Sequence, residues 1–351
     1  MGLQGKGVVR KHVGMIEQTH MQGVAITKPG GPEVLQPVSW PMPECGPGEV
    51  LIRVAAAGVN GPDLAQRRGH YDPPPGASPL PGLEVAGEIA AIGMAVEQWR
   101  LGDRVMALVN GGGYADYVAV PAGQVLAVPQ GWTMGQAAAL PETWFTVTQT
   151  LVMRAGLEPG MSVLVHGASG GIGGAAIQIA TIVGAQAIGV VSSAEKAAYA
   201  RRLGAIGTID SLREDLVARV LELTGGKGVD RVVDLIGGEM TANNIEASAR
   251  GGHIVQIATL GGSTANVSLR SIMAKQLTLS GSTLRPQTAQ TKAAIAGRIR
   301  KDLLPAFSQP GFIKPDVRTL LLEEAAAAHQ VMEARSHQGK IVLLTRFGRS
   351  Q

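Results

Sequence analysis

The rhythm of hydrophobic and polar positions along the chain changes once, near residue 141. Between residues 22 and 56 it alternates with the period of two that puts side chains on opposite faces of a strand, most clearly in Val50-Leu51-Ile52-Arg53-Val54-Ala55. The surrounding turns are rich in proline and glycine: Lys28-Pro29-Gly30-Gly31-Pro32 and Glu44-Cys45-Gly46-Pro47-Gly48. Residues 85–128 continue in the same style, with short strands expected at 85–92, 104–108 and 117–120. Many short strands between turn signals predict a β-rich, barrel-like domain.

From residue 141 onward, helical and strand periods alternate. The pattern predicts helices over 142–154, 173–183, 194–203 and 214–224, interleaved with strands at 162–166, 186–191, 208–209, 231–235, 252–257 and 277–281. Strand–helix alternation requires crossover connections, so this stretch is expected to form a doubly wound parallel sheet, an α/β fold. The final segment holds a helix after Thr288, another over 323–333 and an apolar strand at 339–344. That strand lacks a sheet of its own and is expected to return to the first domain. The domain plan is therefore 1–20 as a loose extension, 21–143 with 287–351 as one unit, and 144–286 as the other.

Composition bounds the function. A length of 351 residues suits two domains of about 150 each. Hydrophobic residues at 45% and charged residues at 17% favour packed cores over disorder. No apolar run reaches the roughly 18 residues that cross a bilayer, and the N-terminus lacks the apolar stretch of a secretory signal. The one cysteine, Cys45, excludes an internal disulfide and a four-cysteine zinc site, and fits a reducing cytoplasm. The net charge of +4 forms no basic stripe, so a nucleic-acid partner is not expected.

The 48 glycines call for tight turns or close backbone approaches. One cluster stands where chemistry needs it: the strand at 162–166 runs into Gly167-Ala168-Ser169-Gly170-Gly171-Ile172-Gly173 and then an alanine-rich helix. Such a turn lets backbone N–H groups of Ser169, Gly170, Gly171 and Ile172 approach a pyrophosphate at a helix N-terminus. An NAD site places an acid at the end of the next strand, about 20 residues on. Ser192 and Ser193 stand there, with Lys196 one turn later. Hydroxyls and an ammonium suit the 2′-phosphate of NADP(H), which a carboxylate would repel. Ser193 as a helix cap and Lys196 as a solvated residue is the plainer alternative.

With these features in place, the chain from about Met21 to Leu344 resembles the medium-chain dehydrogenase/reductase superfamily, in its zinc-independent quinone oxidoreductase branch. The resemblance rests on Lys28-Pro29-Gly30-Gly31-Pro32-Glu33-Val34-Leu35, Gly58-Val59-Asn60, Asp63, Gly82-Leu83-Glu84, Gly102-Asp103-Arg104-Val105, the 167–173 turn and Gly339-Lys340-Ile341-Val342. The run Tyr71-Asp72-Pro73-Pro74-Pro75-Gly76-Ala77-Ser78 looks like the stress-inducible subgroup of animals. The resemblance implies a GroES-like barrel beside a Rossmann domain. Zinc-dependent relatives use a Cys near the present Asn60 and a His where Leu83 stands, so no catalytic zinc is expected and Glu84 reads as a hydrogen-bonded structural acid.

Without a Lewis acid an alcohol is poorly activated, whereas quinones and α,β-unsaturated carbonyls are already electrophilic. The implied activity is reduction of such acceptors by NADPH. Tyr71 and Asn60 are the candidate catalytic residues: Tyr71 to hydrogen-bond or protonate the acceptor, Asn60 beside the nicotinamide ribose. A tyrosine packed on the proline run and an asparagine closing a turn remain open for them. The resemblance adds Thr146, Thr259, Leu260, Leu284, Arg285, Arg335 and Lys340 as cofactor contacts, although Lys340 and Arg285 also fit ordinary surface charges. Many relatives carry a tyrosine where Ser211 stands, a departure at the adenosine phosphate. Asp63 is expected to anchor its loop, and His166 to be structural. Relatives form homodimers or homotetramers through sheet edges, for which Leu277-Thr278-Leu279 is the candidate. The rivals are a 2-enoyl thioester reductase and a non-catalytic crystallin or RNA-binding relative.

Overall fold

The structure, a computed structural model, describes residues 18–335 and 337–350. Residues 1–17 of the expected extension lie outside them. The chain enters through β1 (His20–Ile26), which pairs antiparallel with β2 (Leu35–Pro41) in a two-stranded sheet. There follow β3 (Glu49–Val59), α1 (Gly61–Arg67), β4 (Glu84–Ile92), β5 (Arg104–Leu108), β6 (Tyr117–Pro121) and β7 (Val125–Ala127). Helices α2 (Met134–Ala138) and α3 (Pro141–Val147) then carry the chain across, and α3 continues as a wider π-type turn over Thr148–Arg154.

The second region alternates without exception. Its strands are β8 (Ser162–Val165), β9 (Gln186–Val191), β10 (Gly207–Asp210), β11 (Val229–Asp234), β12 (Ser248–Gln256) and β13 (Thr278–Gly281). Between them run α4 (Gly171–Val183), α5 (Ala194–Arg202), α6 (Leu216–Leu223), α7 (Met240–Ala247) and α8 (Leu269–Lys275). After β13 come α9 (Ala289–Arg298), β14 (Val317–Leu321), α10 (Ala325–Glu333) and β15 (Lys340–Leu344).

The six strands β8–β13 form one parallel sheet in the order β10-β9-β8-β11-β12-β13, the doubly wound arrangement expected. Both faces are covered. Val163 and Val165 of β8 pack with Ala176, Ile177, Ile179 and Ala180 of α4, while Leu164 turns the other way to Ile188, Val232 and Ile254. A strand buried on both sides needs no polar alternation, which is why β8 reads as an unbroken apolar run. The strand order reverses between β8 and β11, so the crevice at their C-terminal ends is where such sheets take ligands.

The other sheet has the order β14-β15-β3-β4-β5-β7, with β6 also paired to β3. It is antiparallel throughout except for β14 with β15. Strand β15 pairs with β3, Ile341 opposite Val59, so the C-terminal strand returns to a sheet whose other strands, β14 aside, lie between Glu49 and Ala127. Its core gathers Val50, Ile52, Val54, Val85, Val105, Ile341 and Leu343. Helices α1, α2, α7 and α8 and strand β14 extend the expected pattern; they are short, and α8 has no buried residue to give it a periodic signal. Among the described residues no helix is long and apolar enough to cross a membrane.

Candidate active site

The glycine turn sits at the end of β8, and its geometry fits a dinucleotide. Gly170 is the N-cap of α4 and has no side chain to cap the first-turn amides, leaving them for an anion. A Cβ on Gly173 would lie 2.3 Å from the Gly167 carbonyl oxygen, so glycine there lets helix and strand close up. The Ser169 carbonyl accepts a hydrogen bond from Gly339 N at 3.3 Å, which lays the loop before β15 over the turn.

At the end of β9, Lys196 Nζ donates to Ser192 Oγ at 3.1 Å, with both side chains open to solvent on one side. Ser193 caps α5 through its Oγ, which accepts from Lys196 N at 3.3 Å. Ser211 donates both its N–H and its hydroxyl to the Val191 carbonyl, 2.8 and 3.0 Å away, tying the ends of β9 and β10 together. His337, a residue that sequence reasoning passed over, brings an imidazole shielded from solvent to this neighbourhood; burial lowers its pKa against a bond to the Val331 backbone, and Lys340, Lys196 and Arg318 add to the lowering. Arg335 is exposed and holds a left-handed backbone, φ 51°. Thr259 and Leu260 follow β12 at the surface, with Leu260 N bonded to Leu235 O beyond β11.

Below the turn lies a buried polar hub. Glu84 on β4 is fully buried, and one carboxylate oxygen takes Asn60 Nδ2 at 2.8 Å and Lys340 Nζ at 2.6 Å; the other takes the backbone N–H of Glu142 at 2.9 Å. Lys340 Nζ also donates to Asn60 Oδ1. Asn60 therefore spends both ends of its amide on the hub while it caps α1, and Lys340 is 5% exposed rather than a surface charge. Asp63, completely buried, receives Asn60 N at 2.8 Å and Gly82 N at 2.9 Å; burial pushes its pKa up to about 6 against those two bonds. The loop-anchoring role expected for Asp63 is what these bonds perform.

A second clamp lies beside it. Arg285 spends all three guanidinium nitrogens on protein oxygens: Nε on Asn110 O at 3.0 Å, Nη1 on Tyr71 O at 3.3 Å, and Nη2 on Gln66 Oε1 and Asn110 O at 2.8 Å each. Lys292 on α9, only 1% exposed, donates to Asn110 Oδ1 and to Arg285 O. Burial lowers its pKa to about 8. Leu284, the neighbour of Arg285, is buried. The Tyr71 ring lies under the Arg285 guanidinium, 5.3 Å from its centroid, and its hydroxyl bonds to none of the described residues. Burial raises the phenol's pKa, with the Glu142 carboxylate adding to it. Thr146, one turn along α3, donates its hydroxyl to the Glu142 carbonyl at 2.6 Å. His166 bonds Asn244 Oδ1 at 2.7 Å, and Asn244 bonds the buried Asp234, a structural network.

Sequence reasoning missed Glu142, Lys292 and Asn110. Glu142 reads as an ordinary acid in the first turn of a helix, and Lys292 as a polar position on α9; neither carries a motif.

A barrel-like domain closed by its own C-terminal strand, beside a doubly wound sheet with a dinucleotide turn at its switch point, defines the two-domain nicotinamide-dependent oxidoreductases. The comparisons agree. Residues 46–130 match the alcohol dehydrogenase GroES-like domain family, and residues 171–296 match the zinc-binding dehydrogenase family. The quinone oxidoreductase of Rattus norvegicus is 31% identical over 333 residues, 93% of this chain and 98% of that protein. That of Pseudomonas aeruginosa is 35% identical over 324 residues, 90% and 97%. Among solved structures, Escherichia coli quinone oxidoreductase complexed with NADPH superposes with a TM-score of 0.77 at 30% identity, covering 92% of this chain and 99% of that one. The CurK enoyl reductase gives 0.79 at 27% identity, covering 93% and 100%. The chain belongs to the medium-chain dehydrogenase/reductase superfamily, among its quinone oxidoreductase-like members.

The zinc named for one matched family does not fit these residues. The resemblance sets Asn60 and Leu83 against the ligand positions of zinc-dependent relatives, and the Lys340 ammonium bonds both Asn60 and Glu84, where it would repel a divalent cation. Among the described residues, no group of three or more His, Cys, Asp or Glu could hold a metal.

Removing Lys340 leaves the Glu84 carboxylate buried without its counter-charge, so Lys340→Ala is expected to cost about 3–5 kcal/mol of folding stability. Urea unfolding of the variant measures this, and an unchanged midpoint contradicts the buried pair.

Proposed function

We propose that the protein is an NADPH-dependent reductase of quinones and similarly activated carbonyl acceptors, working without a metal in a reducing cytoplasm. The observation that carries the proposal is the donor set of the hub. Its amide, carboxylate and ammonium offer no Lewis acid for an alcohol, while the Tyr71 hydroxyl stays free beside it for an acceptor oxygen. The quinone oxidoreductase relatives lend support to the acceptor class.

Bound NADPH supplies a hydride. In this reading the amides of Ser169, Gly170, Gly171 and Ile172 hold its pyrophosphate, and Ser192, Ser193 and Lys196, with Arg335, hold the 2′-phosphate. Ser211, already tied to Val191, shapes the adenosine side rather than stacking on it. Asn60 and Thr146 lie toward the nicotinamide ribose, and Thr259, Leu260 and Leu284 line the way in. Arg285 and Lys340 act as positioning residues, because their nitrogens are held by protein oxygens. Arg285 fixes the Tyr71 loop, and Lys340 fixes Asn60. The protein thus orients the acceptor and keeps water away from it.

A 2-enoyl thioester reductase is the second reading, favoured by the likeness to the CurK enoyl reductase. Steady-state oxidation of NADPH with ortho-quinones against 2-enoyl thioesters separates the two. The proposal expects the higher kcat/KM with quinones, and a clear preference for thioesters overturns it. If no acceptor at all is reduced, a non-catalytic binding role takes its place.

A charge-assisted hydrogen bond contributes about 1.5–3 kcal/mol. Lys196→Ala is therefore expected to weaken NADPH binding by roughly 10–100-fold and leave NADH binding unchanged, read by fluorescence titration. Equal affinity of the unaltered protein for both cofactors contradicts the choice of NADPH.

The edge strand β13 and the helix before it expose Leu279, Met273 and Leu269, at 42%, 77% and 69%. We propose this edge for a homodimer or homotetramer. Leu279→Asp is expected to give a monomer by light scattering, and an unchanged mass places the contact elsewhere.

A further inference from the structure

The redox reaction proposed above needs a proton as well as a hydride, and the residues around the hub include one acid with no other task. Glu142 is the second residue of α3. Its backbone is fully committed: the N–H goes to Glu84 Oε2, and the carbonyl takes the Thr146 hydroxyl. Its side-chain carboxyl takes no hydrogen bond from the described residues, and the residue keeps contact with solvent. The cationic groups around it are all engaged, and of its polar neighbours the Tyr71 hydroxyl alone bonds to none of the described residues. Lys340 on β15 is held by Asn60 and Glu84; Lys292 on α9 is held by Asn110 and Arg285; Arg285 is held by Asn110, Gln66 and Tyr71.

Resting on that reading of function, we propose that Glu142 is the proton donor of the site, with Tyr71 holding the acceptor oxygen in place. The acceptor takes two electrons and one hydrogen as hydride from NADPH. Glu142 adds the second hydrogen as a proton: its O–H bond breaks, an O–H bond forms on the acceptor, and the carboxylate left behind is reprotonated by water. A quinone becomes a hydroquinone, and NADP+ is the other product.

The electrostatics suit this division. The groups facing Glu142 are Glu84 from β4, Asp63 from α1, Lys340 from β15, Lys292 from α9, and Tyr71 with Arg285. Burial first, then the Glu84 and Asp63 carboxylates, push its pKa up to about 8 against the pull of Lys340 and Lys292. It is thus protonated at neutral pH and close to the working pH, which is what a general acid needs. Tyr71 is the poorer acid, because burial raises an already high phenol pKa. Lys292 shares a pKa of about 8, but it is shut away from solvent and from any acceptor by its two bonds.

The test pairs a readout on the cofactor-free protein with kinetics. Glutamate labelled with 13C at the carboxyl carbon is followed by NMR from pH 5 to 10. One resonance is expected to titrate with a midpoint of about 8 and to be missing in Glu142→Gln. In that variant NADPH affinity is expected to stay within twofold, showing that it folds. Quinone kcat is expected to fall by roughly 100-fold or more and to lose its alkaline decline, while Glu142→Asp recovers part of both. A Glu142→Gln protein with unaltered kcat and the same alkaline decline overturns the assignment, as does a Glu142 resonance that titrates below pH 6. Absence of acceptor reduction by the unaltered protein contradicts the function itself; an unaltered Glu142→Gln contradicts only the proton donor.

Discussion

A carboxylate as fully buried as Glu84 has to be met by donors on every side, and three elements meet it. Asn60 comes from the start of α1, Lys340 from the start of β15, and the Glu142 amide from the start of α3. The demand reaches the sequence around it. A Cβ on Gly58 would lie 2.0 Å from Glu84 Oε1, so the strand opposite must carry a glycine. A Cβ on Gly171 would lie 2.8 Å from the Lys340 side chain, so the same lysine packs against the dinucleotide turn. One buried ion pair thereby fixes where the barrel stands against the cofactor site.

The second tie works from the far side. After β13 the chain presents Arg285 and then Lys292, and both close on Asn110 of the barrel. Arg285 also holds the Tyr71 carbonyl and lies over its ring. Beside the two clamps, Tyr71 and Glu142 each keep a polar group that bonds to none of the described residues. A cation from the protein itself stands where relatives of the other branch are expected to hold a metal. Under the proposed function, such a site reduces an acceptor that is already electrophilic.

Much of this was legible in the sequence because it is local. The glycine turn, the serines and lysine at the end of β9, and the alternation from β8 to β13 all lie within short windows whose periodicity or spacing carries the meaning. The hub is different. Asn60 and Lys340 are 280 residues apart, and a lysine opening an apolar strand carries no sign that it will be buried. Arg285 and Gln66 meet across 219 residues for the same reason. Glu142 was hidden by plausibility, since an acid in the first turn of a helix already has a reason to be there. Ser193 shows the converse: its position at the end of β9 was readable, and so was its duty as the cap of α5.

The proposed function has the site work without a metal ion, its Lys340 ammonium paired with Glu84 and holding Asn60 in place. Its most direct test is NADPH oxidation with an ortho-quinone before and after exhaustive chelation, with the metal content of the protein measured at each stage. The account predicts the same kcat in both samples and no stoichiometric zinc. Activity that is lost on chelation and restored by zinc would contradict it.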